Sequence, residues 1–346
     1  MLRYHAAQLV DRLRIPSAVL ALRAAARVPA WITVLAYHRV NDATAGADFD
    51  EGTVDVTPEA FDRHVAYAKR WFDVIGVGDL LAYTRGGALP RNPLLITFDD
   101  GYKDNWRAAV PILRKHGATA TFFIATTYVS DRRLFWWDRL NYMVKRSPRA
   151  AIEIDYPTRL TVPLGGAGGG SQEKYRRRAF ETLRKVITSH FKIDLWRFLD
   201  AVAEGSGVVL SREDERRLAD DMILTWDEVR AMRRAGMDIQ SHTRDHYVLP
   251  TMTDEHLAAE LGGSREILEG VLGEPVRAIS YPVGHRIPAA LRKAVRHAGY
   301  ELGFTNASGI NHRWSFDPLD VRRLSLELGS PDGYFKTVLA IPYTSY

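Results

Sequence analysis

Two short stretches of this 346-residue chain hold side chains whose types and spacing suit hydrolytic metal chemistry. In LLITFDDGYKDN, residues 94–105, an apolar run leads straight into Asp99, Asp100 and a glycine. Adjacent carboxylates at the end of a buried strand repel each other and are costly to desolvate, so they call for a counter-charge. In SHTRDH, residues 241–246, His242 and His246 stand at i and i+4. On one helical turn that spacing puts both rings on the same side, close enough to share a metal. Two histidines and a carboxylate make a ligand set that leaves positions open for water and substrate. One of the paired acids would ligate the cation, whose charge makes the crowding tolerable. The other would stay free to take a proton from metal-bound water.

The elements that must position these residues begin near residue 31, where strands start to alternate with helices. Residues 32–37, 94–98, 120–125, 237–241, 278–281 and 301–305 read as strands. Residues 58–71, 105–116, 225–236, 253–272 and 288–299 read as helices, the first with Thr57 as N-cap and proline at its first position. The run 94–98 is apolar throughout, as expected of a strand buried on both faces of a parallel sheet. Such alternation implies βαβ units in an open sheet or a barrel, with ligands at the C-terminal ends of the strands. Asp99, Asp100, His242 and Tyr281 all fall there. Residues 131–222 break the rhythm with LFWWDRL, the glycine-rich GGAGGGS at 165–171, and charged helical sequence. They are expected to form a mainly helical insertion, a lid or a substrate-facing subdomain. The glycine tract lacks the GxxxxGK[ST] pattern of a phosphate loop.

TFDDGY at 97–102 followed by HTRDH at 242–246 resembles the first two motifs of the NodB-like polysaccharide deacetylases, carbohydrate esterase family 4. Motif order and separation agree, and the resemblance spans residues 31–328 less the insertion. LAYHRV at 35–40 is similar to the N-terminal strand of the branch acting on poly-N-acetylglucosamine and related exopolysaccharides. The resemblance implies an α/β fold, a distorted (β/α)7 barrel over residues 31–346. It also implies metal-dependent removal of acetyl from an N-acetylated sugar. Asp99 would be the general base, and Asp100, His242 and His246 the ligands of a divalent ion, expected to be zinc with cobalt or nickel as alternatives.

The later motifs depart from the family. Many members carry RPPYG, whose arginine orients the base; here the stretch is SYPVG, 280–284, with Ser280 at the arginine position. Arg277, Arg322 and Arg323 are candidates to replace it, the last two closing a strand late in the chain, and Arg323 is the residue chosen. Tyr281, Val283 and Gly284 are expected on the substrate and oxyanion side, with the Val283 N–H as donor. The family's final LxxH motif supplies the histidine that protonates the leaving amine, but no histidine follows residue 312. In a closed barrel the first and last strands are neighbours, so His38 is expected as the general acid, with His285 and His312 in reserve. Trp136, Trp137, Trp226 and Trp314 could stack on sugar; Trp137 is the one expected to touch substrate, and Trp226 is expected to pack at a helix start.

Composition bounds the rest. The chain is 46% hydrophobic and 26% charged, which supports a substantial core. It contains no cysteine, which removes disulfides and thiolate metal sites. The net charge is +5, with much of the surplus at residues 1–30, where five arginines lie among leucines and valines. This reads as a basic amphipathic segment interrupted at Pro16, suited either to packing on the domain or to peripheral contact with an anionic membrane. No apolar run approaches the ~20 residues of a spanning helix and arginines break any signal-peptide core, so a cytoplasmic or inner-membrane-peripheral location is expected. No nucleic-acid recognition motif is present. The rival functions are a non-haem iron oxygenase, a non-catalytic carbohydrate-binding scaffold, and a deacylase of O-acetyl or lipid-linked sugars.

Overall fold

Seven parallel strands close into a ring: β1 (Thr33–Tyr37), β2 (Pro93–Phe98), β3 (Thr121–Ile124), β4 (Asp238–Ser241), β5 (Ala278–Ser280), β6 (Leu302–Ser308) and β7 (Val321–Ser325). The computed structural model describes residues 2–25, 31–42, 49, 51–165 and 171–341. Around the ring the order is β1-β7-β6-β5-β4-β3-β2, and β1 pairs with β2 over five residues, from Thr33 against Leu94 to Tyr37 against Phe98. That last pairing closes the barrel. A two-residue strand, Asp73–Val74, adds to the start of β2. The fold is the distorted (β/α)7 barrel expected of a NodB-like deacetylase, and a jelly roll is excluded.

Strand alternation divides the side chains into two layers. Leu94, Ile96 and Phe98 of β2 join the large outer core beneath the helices, whereas Leu95 joins the inner cluster with Val34, Phe123, Phe304 and Val321. Thr97 and Asp99 share the parity of Leu95, and Arg323 that of Val321. The inner register is therefore apolar at the bottom of the barrel and becomes polar at its C-terminal mouth. Ser280 and Asn306 continue the inner registers of Ala278 and Phe304 in the same way.

Three local expectations are corrected. Residues 105–116 are not one uniform helix: a π-turn at Asn105–Ala109 precedes the α-helix Val110–Lys115. Pro111 lacks the N–H that an α-ladder would need there. The insertion carries helices Trp136–Arg146, Gln172–Ser189, Leu195–Ser206 and Arg212–Met222, but also an antiparallel hairpin, Ala151–Ile154 against Leu160–Pro163. The alternation of AIEI and LTVP supplies that hairpin's buried face, Ile152, Ile154 and Val162. Most of the glycine tract, 166–170, lies outside the described residues. At the N-terminus the break falls at Arg14, whose φ is +57°, and not at Pro16, which sits in the first turn of the second helix.

The N-terminal helices, Leu2–Arg12 and Ile15–Ala25, pack on the C-terminal helix Asp332–Ala340. Ala7 and Leu20 are buried there, the Tyr4 and Tyr334 rings meet edge to face at 5.0 Å, and Lys336 pairs with Asp11 at 2.8 Å. Residues 26–30, including Arg27, lie outside the described residues, as does the Arg3 side chain. Among the described residues no helix is long and apolar enough to cross a membrane.

Candidate active site

The two adjacent aspartates part company at the end of β2. Asp99 stays in register, its N–H bonded to Tyr37 O at 2.9 Å, and points into the barrel mouth. Asp100 takes a left-handed φ of +77°, which swings its carboxylate back to the same side. Gly101 follows at φ +102°, where an added Cβ would meet Ile124 Cδ1 at 3.3 Å, so the DDG sequence is a turn that only glycine completes comfortably. Both carboxylates are buried.

Asp99 is gripped from two directions. Arg323 Nη1 donates to Oδ1 at 2.8 Å and Nη2 to Oδ2 at 2.7 Å, the bidentate fork that fixes a carboxylate plane. Ser280 Oγ adds a hydrogen bond to Oδ2 at 3.0 Å. Arg323 is in turn held by Thr305 O and Asn306 Oδ1, at 2.9 and 2.6 Å. Burial alone would raise the Asp99 carboxyl, but the Arg323 guanidinium, with His242 and His38 nearby, holds it well below the usual carboxylate range. Arg277 pairs with Glu301 at 2.8 Å instead, and Arg322 has the outward parity of β7.

Asp100, His242 and His246 converge. One donor atom from each lies within 4.8 Å of the others, and both histidine Nε2 atoms stand 3.4 Å from Asp100 Oδ1. That oxygen is buried and, among the described residues, has no hydrogen-bond partner. Ser280 O takes His242 Nδ1 at 2.8 Å, which turns Nε2 to the site. Burial, with His242 close by, holds His246 down to about 3, leaving its ring neutral as a ligand must be. An orphaned buried carboxylate oxygen between two neutral-capable imidazoles fits a divalent cation.

The histidine pair does not sit on a helical turn. Residues 242–246 form an irregular loop with left-handed φ at Thr243 (+65°) and His246 (+55°). Glu260 pins it, its Oε2 accepting the N–H groups of Arg244 and Asp245 at 3.0 Å each. Thr126 and Thr127 donate to the carbonyls of Thr243 and Arg244.

His38 follows β1, and its side chain keeps 33% exposure, enough to meet a ligand. Asp55, on the short strand Val54–Val56 that pairs with Arg39–Val40, accepts from the His38 main-chain N–H and lies 3.2 Å from Nδ1. Burial would lower His38, but Asp55, with smaller contributions from Asp100 and Asp99, raises it to about 10. His38, Asp99, Asp100, His242, His246 and Val283 line one pocket of about 230 Å³, to which the insertion helix Gln172–Ser189 adds Arg184 and Thr188.

Comparison with known proteins bears on the family and the fold. The family model described as polysaccharide deacetylase matches residues 86–153 and 203–303, a span that includes Asp99, Asp100, His242, His246 and Ser280. The chain belongs to the polysaccharide deacetylase family. It is 21% identical over 291 residues, 82% of this chain and 68% of the relative, to the candidate polysaccharide deacetylase YxkH of Bacillus subtilis (strain 168). In fold it is similar to the Streptococcus pyogenes deacetylase PplD, solved with acetate (TM-score 0.57, 17% identity, 92% of this chain and 100% of that chain). It is similar also to IcaB from Ammonifex degensii (TM-score 0.53, 17% identity, 91% and 97%).

Within this polysaccharide deacetylase fold, several expected site residues lie elsewhere. The Tyr281 side chain turns into the core, its OH donating to Leu319 O at 3.1 Å, so it does not face the pocket. Gly284 serves the turn: its N–H reaches Tyr281 O, its carbonyl accepts from Asn306 N, and a Cβ would come within 2.7 Å of Tyr281 Cβ. Val283 does line the pocket, at a left-handed φ of +53° that is strained for a β-branched residue. Trp137 reaches the pocket edge but is 5% exposed, its Nε1 donating to Tyr102 OH at 2.7 Å and its ring against His246 at 4.5 Å. It supports His246 and offers little face to a sugar. Trp226 packs at the start of helix Trp226–Arg234, as expected, and Trp314 is exposed beside His312, outside the pocket lining. His285 lines the pocket. Asp55, Asn306 and Glu260 escape sequence reasoning because each acts through a tertiary contact no local pattern announces.

Proposed function

We propose that the protein is a metal-dependent hydrolase that removes N-acetyl groups from an N-acetylated sugar in a polysaccharide or glycan intermediate. The observation that carries this reading is the Asp100–His242–His246 donor set beside an Asp99 carboxylate held ionised in the same pocket. Asp100, His242 and His246 would hold a divalent ion, zinc with cobalt or nickel as alternatives, which when bound polarises the amide carbonyl and acidifies a water. Asp99 takes the proton of the attacking water, and Arg323 and Ser280 keep its plane fixed as it does so. The Val283 N–H makes no backbone hydrogen bond among the described residues and, with Val283 lining the pocket, would receive the developing oxyanion. His38 gives its proton to the departing nitrogen, because an unprotonated amine leaves poorly. Asp55 keeps that ring charged and oriented.

The best support for a scaffold that binds sugar without turnover is the serine at the arginine position. Against it, Arg323 on β7 donates two hydrogen bonds to Asp99 and would orient the base in place of that arginine. The test is acetate release from N-acetylglucosamine oligomers by the wild type and Asp99→Asn. An enzyme releases acetate and the variant does not; a scaffold releases none and binds sugar equally in both forms.

Peripheral membrane contact belongs to the same proposal. Of seven exposed large hydrophobics among the described residues, Leu9, Ile15 and Leu22 lie on the two N-terminal helices and Leu13 in the turn between them. Arg12 and Arg14 are exposed beside them, while the acid there, Asp11, is taken up by Lys336. A face that is apolar and basic suits an anionic bilayer surface.

A further inference from the structure

Beside the catalytic pocket lies a second and larger cavity, of about 400 Å³, and the two share Trp136 and His246. One wall comes from the junction of two insertion helices, with Ile187, Ile193 and Leu195. The other comes from the segment after the metal loop, with Tyr247, Val248 and Met252. Nothing in the deacetylation chemistry uses this space.

Four of its polar side chains are committed to the backbone. Asp194 accepts the Arg197 N–H at 3.1 Å, and Thr251 donates to Val248 O at 2.7 Å. Thr253 accepts the His256 N–H at 3.3 Å, and Glu260 holds the two loop amides. Lys192, Arg244, Asp194, Asp245 and Glu260 put charge of both signs in its lining, and Arg244 Nε is buried there without a hydrogen-bond partner among the described residues. A sugar subsite needs unengaged donors and acceptors aimed inward, because a sugar hydroxyl buried without a partner loses its water for nothing. An apolar chain needs only apolar walls and release of water.

We propose that this cavity takes the apolar aglycone of a lipid-linked N-acetylated sugar whose acetamido group occupies the catalytic pocket. The inference rests on the deacetylase reading and narrows its substrate class. The insertion gives one wall to the cavity and Arg184 and Thr188 to the catalytic pocket, so one segment covers both ends of such a substrate. A chain on the sugar would cross the Trp136–His246 edge to enter it.

The test measures binding and turnover separately on the full chain with zinc. Calorimetry on Asp99→Asn compares octyl β-N-acetylglucosaminide, the methyl glycoside and N,N′-diacetylchitobiose. The octyl glycoside should bind about tenfold or more tighter than the methyl glycoside. Adding Val248→Lys and Met252→Lys should erase that advantage and leave methyl glycoside affinity unchanged, which also reports an intact fold. Equal affinity of octyl and methyl glycosides overturns the inference, and so does a chitobiose preference lost in the lysine variants, which would make the cavity a flanking-sugar site. Acetate release with Asp99 intact separates the two levels. Turnover without an octyl preference sinks the cavity assignment alone. Octyl binding that is sensitive to the lysine variants, without turnover of any probe, supports the cavity and removes the deacetylase reading.

Discussion

Asp99 and Asp100 are neighbours whose roles diverge at a single φ angle, and substitutions should separate them. Asp99→Asn keeps the shape and loses the base, so acetate release should fall by about 10²–10⁴-fold while metal affinity stays near wild type. Asp100→Ala should lose the metal itself, measurable by direct titration. Arg323→Met removes the fork from a fully buried carboxylate, and chemical denaturation should show a loss of about 3–5 kcal/mol. Asp55→Asn should lower kcat with KM little changed, since Asp55 touches His38 and not the pocket's substrate-facing side. At this scale the sequence was informative where parity or motif spoke. The two arginines of DVRRLSLE look alike on paper, and strand alternation turns only Arg323 inward. Asp55 stayed hidden because its partner is brought to it by the pairing of Arg39–Val40 with Val54–Val56. The tyrosine of SYPVG was misjudged because a residue at a strand end has two directions available, and Tyr281 takes the core.

At the scale of elements, helix Pro58–Trp71 shows how a buried histidine couples the fold to pH. His64 stacks on Phe335 of the C-terminal helix at 3.8 Å, and burial lowers it to about 4. The folded protein therefore binds fewer protons than the unfolded chain between about pH 6.5 and 4, and stability is lost as pH falls through that window. The loss reaches on the order of 3 kcal/mol by pH 4. His64→Gln should flatten the acid limb of the melting temperature against pH, and parallel slopes in wild type and variant would contradict this assignment. Most helices and strands were legible because apolar periodicity and a cap such as Thr57 are local. The metal loop was not. Its i, i+4 spacing imitates a helical turn, while left-handed Thr243 and His246 are imposed by Glu260 and by the threonines after β3. The insertion's hairpin was missed for a different reason: its strands are four residues each and sit amid helical sequence.

For the whole molecule, barrel closure is the decisive event, since the β1–β2 pairing brings His38 beside Asp99 and the β7–β1 pairing brings Arg323 there. The alternation of strands and helices announced parallel units; the motif resemblance, not periodicity, announced closure. The N-terminal helices add an outward apolar and basic face to this body. Full-length protein should co-sediment with vesicles containing phosphatidylglycerol and not with neutral ones, and Leu9→Glu with Leu13→Glu should abolish that binding without altering turnover of a soluble substrate. The measurement that bears most directly on the central claim is acetate release during titration of zinc into metal-stripped protein. Turnover should rise from nothing, saturate at one equivalent per chain, and fail to appear in His242→Ala. Full turnover by the stripped protein in excess chelator would contradict the account.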